Sequence, residues 1–294
     1  MRTGRQSSNN QVSQTGWVVS QGLGSAIVFP FYHSDGGDTL FTIRNSHPST
    51  SVKVQLYYVC EDTGNTIKVN LTVPAGGSAT SLASSVDPDC AGYMIAVAKN
   101  TSTGFPINFN YLSGTAYITM DGHSGTFPGK TVKALSPIFP PSGNLKSTGA
   151  RVIAPFDGVN YEFLTGPSNV ASNLVLSGIK SDSIIALSSV SGDLTGAGVD
   201  SFRGLSATLT TTTKNIKLYI NQPGIIYHGT MSELFPAVTD MNTILATETG
   251  KLTINPLGMG SLFGLVIQAS GAVDRKTDET TVAPDSRYLG VPLV

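Results

Sequence analysis

Two cysteines, four histidines and a scatter of aspartates are the residues of this chain able to form covalent bonds, hold a metal or move protons. Cys60 ends one strand-like segment on its inward parity, and Cys90 stands just before another. That placement suits a structural disulfide, which would contribute roughly 3–4 kcal/mol through loop closure; two buried thiols are the alternative. There is no C-x-x-C or haem-attachment spacing. His33, His47, His123 and His228 lack an H-E-x-x-H context or a second histidine at ligand spacing. The run Asp121-Gly122-His123-Ser124-Gly125 gathers the residue types of nucleophilic catalysis. Neighbours in one tight turn cannot present a triad, however, and a nucleophile elbow needs glycine where Thr126 stands. A turn is the expectation.

Asp35 with Asp38, and Asp87 with Asp89 around Pro88, offer oxygen ligands for Ca²⁺, but neither follows the twelve-residue calcium loop. Solvated turns are expected there. Gly22 and Gly24 lack the third glycine of a dinucleotide fingerprint, and Gly258-Met259-Gly260 reads as a turn. No catalytic residue, cofactor-binding residue or metal ligand is assigned. Asn70-Leu71-Thr72 and Asn100-Thr101-Ser102 fit the N-glycosylation pattern, with Asn70 on an exposed parity and Asn100 in a turn. Phe31, Tyr32, Tyr57, Tyr58, Phe109 and Tyr111 would make a sugar-binding platform if several were exposed. Alternation places Tyr58 in the core and Tyr57 outside.

These residues sit on elements that read as β throughout. Val52, Val54, Leu56, Tyr58 and Cys60 alternate with Lys53, Gln55 and Tyr57, and Ile67, Val69, Leu71 and Val73 repeat the pattern. Period two marks strands with one packed face, and the polar residues 61–65 with Gly64 make a hairpin the simplest connection. Further strands are expected at 26–32, 39–45, 93–98 and 109–120. The segment 93–98 is apolar on both parities and suits a central position. About seven short strands at this spacing indicate a sandwich. A Pro/Gly/Ser-rich stretch precedes a second β-rich region, with strands expected near 151–155, 161–164, 171–176, 183–189, 205–213, 216–220, 252–254 and 262–270. One short helix is expected near 232–235, capped by Ser232. The predicted fold is therefore all-β: two antiparallel β-sandwich domains, immunoglobulin-like or jelly-roll-like, in tandem. They divide as an N-terminal arm over 1–16, a first sandwich over 17–130, a linker over 131–149 and a second sandwich over 150–294.

Charged residues are 13% of the chain and the formal charge is −1, so the field of a general nucleic-acid binder is missing. Arg2 and Arg5 are too few to change that. No run approaches the length of a membrane span. The polar N-terminus lacks a signal-peptide hydrophobic region, which is read as that of a mature exported chain.

The stretches DTLFTIRNSHPSTSVKVQLYYV, SLASSVDPDCAGYMIAVAKN and GFPINFNYLSG resemble a group of poorly characterised secreted bacterial proteins. The shared pattern falls on Asn45, His47, Pro48 and Ser49, then on Leu82, Ala83, Ser84, Asp87, Pro88, Gly92 and Tyr93, and finally on Asn108, Phe109, Asn110 and Leu112. It covers roughly 38–125 and is loose beyond residue 150. Ser46 replaces a frequent threonine and Ala116 lies near a frequently acidic position, so no ligand-binding role is carried over. The resemblance implies export, repeated β architecture and no established enzyme activity.

The expected function is that of a non-enzymatic extracellular or cell-surface structural protein, a self-assembling subunit of a filament or sheath. Its partners would be other copies of itself, joined by strand addition or head-to-tail contacts, without nucleic acid, membrane span or cofactor. A carbohydrate-binding or adhesive module, with a glycan partner, is the alternative; a viral capsid protein and an enzyme follow.

Overall fold

The computed structural model describes residues 22–61, 66–135, 146–148, 151–156, 158–162, 164, 174–190, 194, 202–257, 261–268, 277–282 and 290–292. The arm over 1–16, residues 17–19, most of the expected linker and the 258–260 turn lie outside them. The first half runs β1 (Ala26–His33), β2 (Asp38–Asn45), β3 (Val52–Cys60), β4 (Thr66–Val73), β5 (Ser78–Leu82), a 3₁₀ turn at Ala83–Ser85, β6 (Ala91–Lys99), β7 (Leu112–Met120), β8 (His123–Pro128) and β9 (Lys130–Val132). Two antiparallel sheets result, ordered β4-β3-β6-β1-β9 and β5-β2-β7-β8. The expected hairpin is present, with β3 and β4 in register from Val52↔Val73 to Val59↔Thr66. The 109–120 segment forms a single strand from Leu112, running straight through Gly114. Asp121 and Gly122, both at positive φ, turn β7 into β8. That is the geometry of a two-residue hairpin, the turn expected there.

The second half comprises β10 (Lys146–Thr148), β11 (Arg151–Pro155), β12 (Leu174–Ile179), β13 (Ile184–Val190), β14 (Phe202–Thr210), β15 (Asn215–Gly224), β16 (Ile226–Thr230), α1 (Met231–Leu234), α2 (Met241–Thr247), β17 (Gly250–Leu257), β18 (Ser261–Ile267), β19 (Thr277–Val282) and β20 (Gly290–Pro292). Its main sheets are β12-β17-β14-β15 and β16-β13-β18-β19, and β10-β11-β20 form a small third sheet. The protein is all-β with antiparallel sheets, as expected. Three local expectations fail. Tyr161 makes only an isolated bridge to Ala134, not a strand. The cap of α1 is Thr230, whose hydroxyl and Glu233 form a reciprocal capping box, and not Ser232. A second helix, α2, buries Met241, Ile244 and Leu245.

The sheets stack in layers. Ile185 and Leu187 of β13, with Leu262 and Val266 of β18, join Leu174, Leu252 and Ile254 in a core internal to the second half. The alternate residues Ile184, Ala186, Val190, Phe263, Leu265 and Ile267 belong to the core of the first half. The sheet holding β13 and β18 thus lies between the two cores. It packs against β1 and β6 on one side and β12 on the other. In consequence every residue of β1 and of β6 is buried. The apolar double parity of 93–98 has that physical cause.

β3 shows the same effect partway along its length. Its alternation holds from Val52 to Gln55 and then disappears, because Leu56 to Cys60 are all buried. Tyr57, expected outside, is fully buried in a cluster with Tyr161 and Phe156. Parity identified its face correctly; a second layer covers that face. Burying one such ring contributes roughly 1.5–3 kcal/mol.

Cys60 and Cys90 form the expected disulfide, with Cα atoms 6.0 Å apart. It ties the end of β3 to the strand beside it, next to the pairing Cys60↔Gly92. Gly92 has no room for a side chain: a Cβ there would lie 2.0 Å from the Val59 carbonyl oxygen and 2.7 Å from the Tyr32 ring. The change Gly92→Ala is expected to lower stability by at least about 1–3 kcal/mol in urea unfolding. The pair Cys60→Ser with Cys90→Ser should cost roughly 3–4 kcal/mol in the same measurement. A midpoint unchanged in either would show that this corner does not restrain the fold.

Candidate functional site

The residues with reactive chemistry fall into separate places. Sγ of Cys60, Sγ of Cys90 and a carboxylate oxygen of Asp87 lie within 4.8 Å of one another, a spacing that could hold a metal. Joined as a disulfide, however, the sulfurs supply no thiolate. The Asp87 carboxylate accepts a short hydrogen bond from the Tyr32 hydroxyl. Burial, then that bond, raises the Tyr32 phenol far above its ordinary range. Ser34 Oγ accepts from the Cys90 N–H at 3.0 Å and lies 2.6 Å from the Asp87 carbonyl. Asp38 accepts from the Ser84 hydroxyl and, at 3.1 Å, from its N–H. These carboxylates staple the 83–90 loop to β1 and β2, whereas the sequence suggested solvated turns.

The most developed surface constellation is built from His47, Phe109 and Tyr111. The Asn45 side chain closes the turn after β2, donating to the Thr50 carbonyl at 2.8 Å and accepting from the His47 N–H at 2.9 Å. His47 Nδ1 accepts from the N–H groups of Thr50 and Ser49, at 3.1 and 3.3 Å. The ring hydrogen therefore sits on Nε2. The imidazole stacks on Phe109 at 5.6 Å and meets Tyr111 edge-on at 4.6 Å. From the other side, Asn110 Oδ1 accepts from the Ser25 hydroxyl at 2.8 Å and the Ala134 N–H at 2.9 Å. Asn108 donates to the Ala134 carbonyl at 3.2 Å. Asn45, His47, Asn108, Phe109 and Asn110, separate motifs in sequence, thus make one rigid corner. Tyr111 is its exposed aromatic, at 42%, and Asn108 is exposed beside it. Such a corner offers a flat aromatic face beside an N–H donor, which suits a polar ring with one apolar face.

Of the other aromatics weighed from sequence, Phe31, Tyr32, Tyr57 and Tyr58 are fully buried and present no platform. His123 bonds the carbonyls of Asp121 at 2.9 Å and Asp182 at 2.6 Å, linking the β7–β8 turn to the turn before β13. Asn70 is exposed on β4. The side chain of Asn100 accepts from the N–H groups of Ser102 and Thr103, both at 2.9 Å, which folds its turn locally. A groove at the start of the described chain is lined by Arg44, Ser113, Thr115, Pro128 and Thr131 together with the glycines Gly22, Gly114 and Gly129. Among the described residues its lining has one cation and no acid, thiol or imidazole. No described helix is long and apolar enough to cross a membrane. No protein-family model matches the chain, and no curated protein matches it significantly in sequence.

Lys99 is the functional-type residue that sequence reading missed. It is 2% exposed at the end of β6, with its ammonium 5.8 Å from the centre of the Tyr57 ring. Burial, reinforced by repulsion from Lys68 and Lys53, pushes its pKa down to about 7. The signal available in sequence was a lysine directly continuing an apolar run. An unfolded lysine stays protonated to about pH 10.5, so between pH 7 and that value the unfolded chain binds more protons. Stability should therefore rise with pH there. The buried tyrosines work oppositely above pH 10, because their raised phenols contribute stability below that point and lose it beyond. In urea unfolding at pH 7.5 and 9, the wild-type midpoint is expected to increase; in Lys99→Met the increase should vanish. Equal slopes in the two proteins would refute a depressed Lys99.

Proposed function

We propose that this is a non-enzymatic structural protein of the cell exterior that assembles with copies of itself by strand addition. The observation that carries the reading is the open edge at β15. This strand runs Asn215–Gly224, and among the described strands it pairs in its sheet only with β14. Tyr219, 70% exposed, projects from it. A long edge strand bearing an aromatic side chain is a template for a further strand from another molecule. Trp17, Val18 and Val19 supply β-prone residues at the other end of the sequence. The buried disulfide favours an oxidising, extracellular setting. The low charge suits burial in an assembly. Purified protein is expected to form fibres in negative-stain images, and Tyr219→Lys to shorten or abolish them with the circular dichroism unchanged. Monomers at all concentrations would sink the proposal.

A glycan-binding or adhesive role is a second reading, favoured by the Tyr111–His47 corner. The expected ligand is a pyranose that stacks on Tyr111 and accepts from His47 Nε2–H. Screening on a glycan array followed by calorimetry tests it; Tyr111→Ala should weaken any binding by about tenfold. Unaltered affinity would move the site elsewhere.

A further inference from the structure

Two histidines far apart in sequence meet where the halves join. A β-bulge in β1 brings this about. β1 pairs with β6 through Phe29↔Met94 and then Tyr32↔Gly92, with the register shifted between them. The shift keeps Phe29 and Tyr32 on one face, where both contact Phe41. Phe31 and His33 are aimed the other way, at the second half, and both touch the ring of His228 on β16, with centroids 5.5 and 5.7 Å away. His228 Nε2 in turn lies 3.4 Å from a carboxylate oxygen of Glu61, the residue after the bridged Cys60. The cluster therefore spans both halves and adjoins the disulfide.

Its members differ in surroundings. His33 is 6% exposed, and its Nδ1 is buried with no hydrogen-bond partner among the described residues. His228 and Glu61 are partly open to water. We propose that His33, His228 and Glu61 form a pH-sensitive latch, which holds the junction closed near neutrality and loosens it when both imidazoles carry protons. Near neutrality His33 is a neutral ring packed edge-on against His228. In acid, Glu61 faces the His228 cation, while the buried His33 would carry its charge beside a second cation and away from water.

The surrounding charges decide the direction. Burial first, then His228, lowers the pKa of His33; the backbone of Asp35 and the carboxylates of Asp121 and Asp35 oppose this and are outweighed. Glu233, at the start of α1, feels the His228 charge too. A histidine that resists protonation when folded leaves the unfolded or opened state binding more protons below about pH 6.5. Stability is therefore unaffected above that value and is lost as pH falls through it toward the folded pKa of His33. Local opening at the junction would relieve the cost without global unfolding.

Hydrogen–deuterium exchange on the full chain tests this, with rates corrected for their intrinsic pH dependence. Exchange in β13 and β16 is expected to rise on the order of tenfold between pH 7.5 and 5.5, against no change in β2 and β7. His33→Phe should remove the rise, and His228→Gln, which keeps His33, should reduce it. If His33→Phe fails to fold, ¹³C-labelled histidine NMR of the wild type decides: His33 must titrate below the free-histidine value. Equal corrected protection at the two pH values, a rise that persists in His33→Phe, or a His33 resonance titrating at or above the free value would each overturn the latch.

Discussion

Burial from both sides of β1 and β6, the central strands of the β4-β3-β6-β1-β9 sheet, is the constraint on which the rest of the molecule depends. A sheet with one solvated face tolerates polar residues at every second position. This one is covered by β2 and β7 on one side and by β13 and β18 on the other, so β1 and β6 must be apolar or internally paired throughout. Several of the polar groups that remain inside are bonded across the layers, whereas His33 Nδ1 is left without a partner among the described residues. The Ser188 hydroxyl donates to the Pro30 carbonyl across the junction, and the Tyr58 hydroxyl donates to Ser81 at 2.8 Å within the first half. Lys99 and His33 are buried basic groups caught in the same layer, and burial depresses the charged form of each.

That constraint also occupies several of the reactive groups. Asp87, Tyr32 and the Cys60–Cys90 bridge are taken up in restraining the 83–90 loop against β1. The features on which the two proposed roles rest are at the periphery: the β15 edge with Tyr219, and the His47–Tyr111 corner. Each combines aromatic area with polar groups able to form directed hydrogen bonds. The two need not compete, since one belongs to the second half and the other to the end of the first.

Much of the local structure was legible in the residues. The Val52–Cys60 and Ile67–Val73 alternation located the hairpin, Asp121-Gly122 read as a turn, and Cys60 with Cys90 read as a bridge. Each depends on a few neighbouring residues, or on a parity that survives whatever packs above it. The failures share another cause. Tyr57 sits opposite an apolar layer that its own segment does not encode, and Thr230 caps α1 because Glu233 reaches back to it, a relation visible as T-x-x-E but assigned instead to Ser232. The candidate sites were less legible still. His47 and Tyr111 were singled out separately, and nothing local said that Asn45 and Asn110 would hold them together.

The sequence by itself determined the β class, the central place of 93–98 and the inward direction of Cys60, because side-chain period and apolar continuity are properties of single segments. Only the tertiary structure decided that the two halves share a core, that β1 bulges so as to face His33 toward His228, and that Glu61 closes the cluster. Those outcomes depend on which sheet lies against which. A strand's parity states that its two faces differ or agree; it does not say what will cover them.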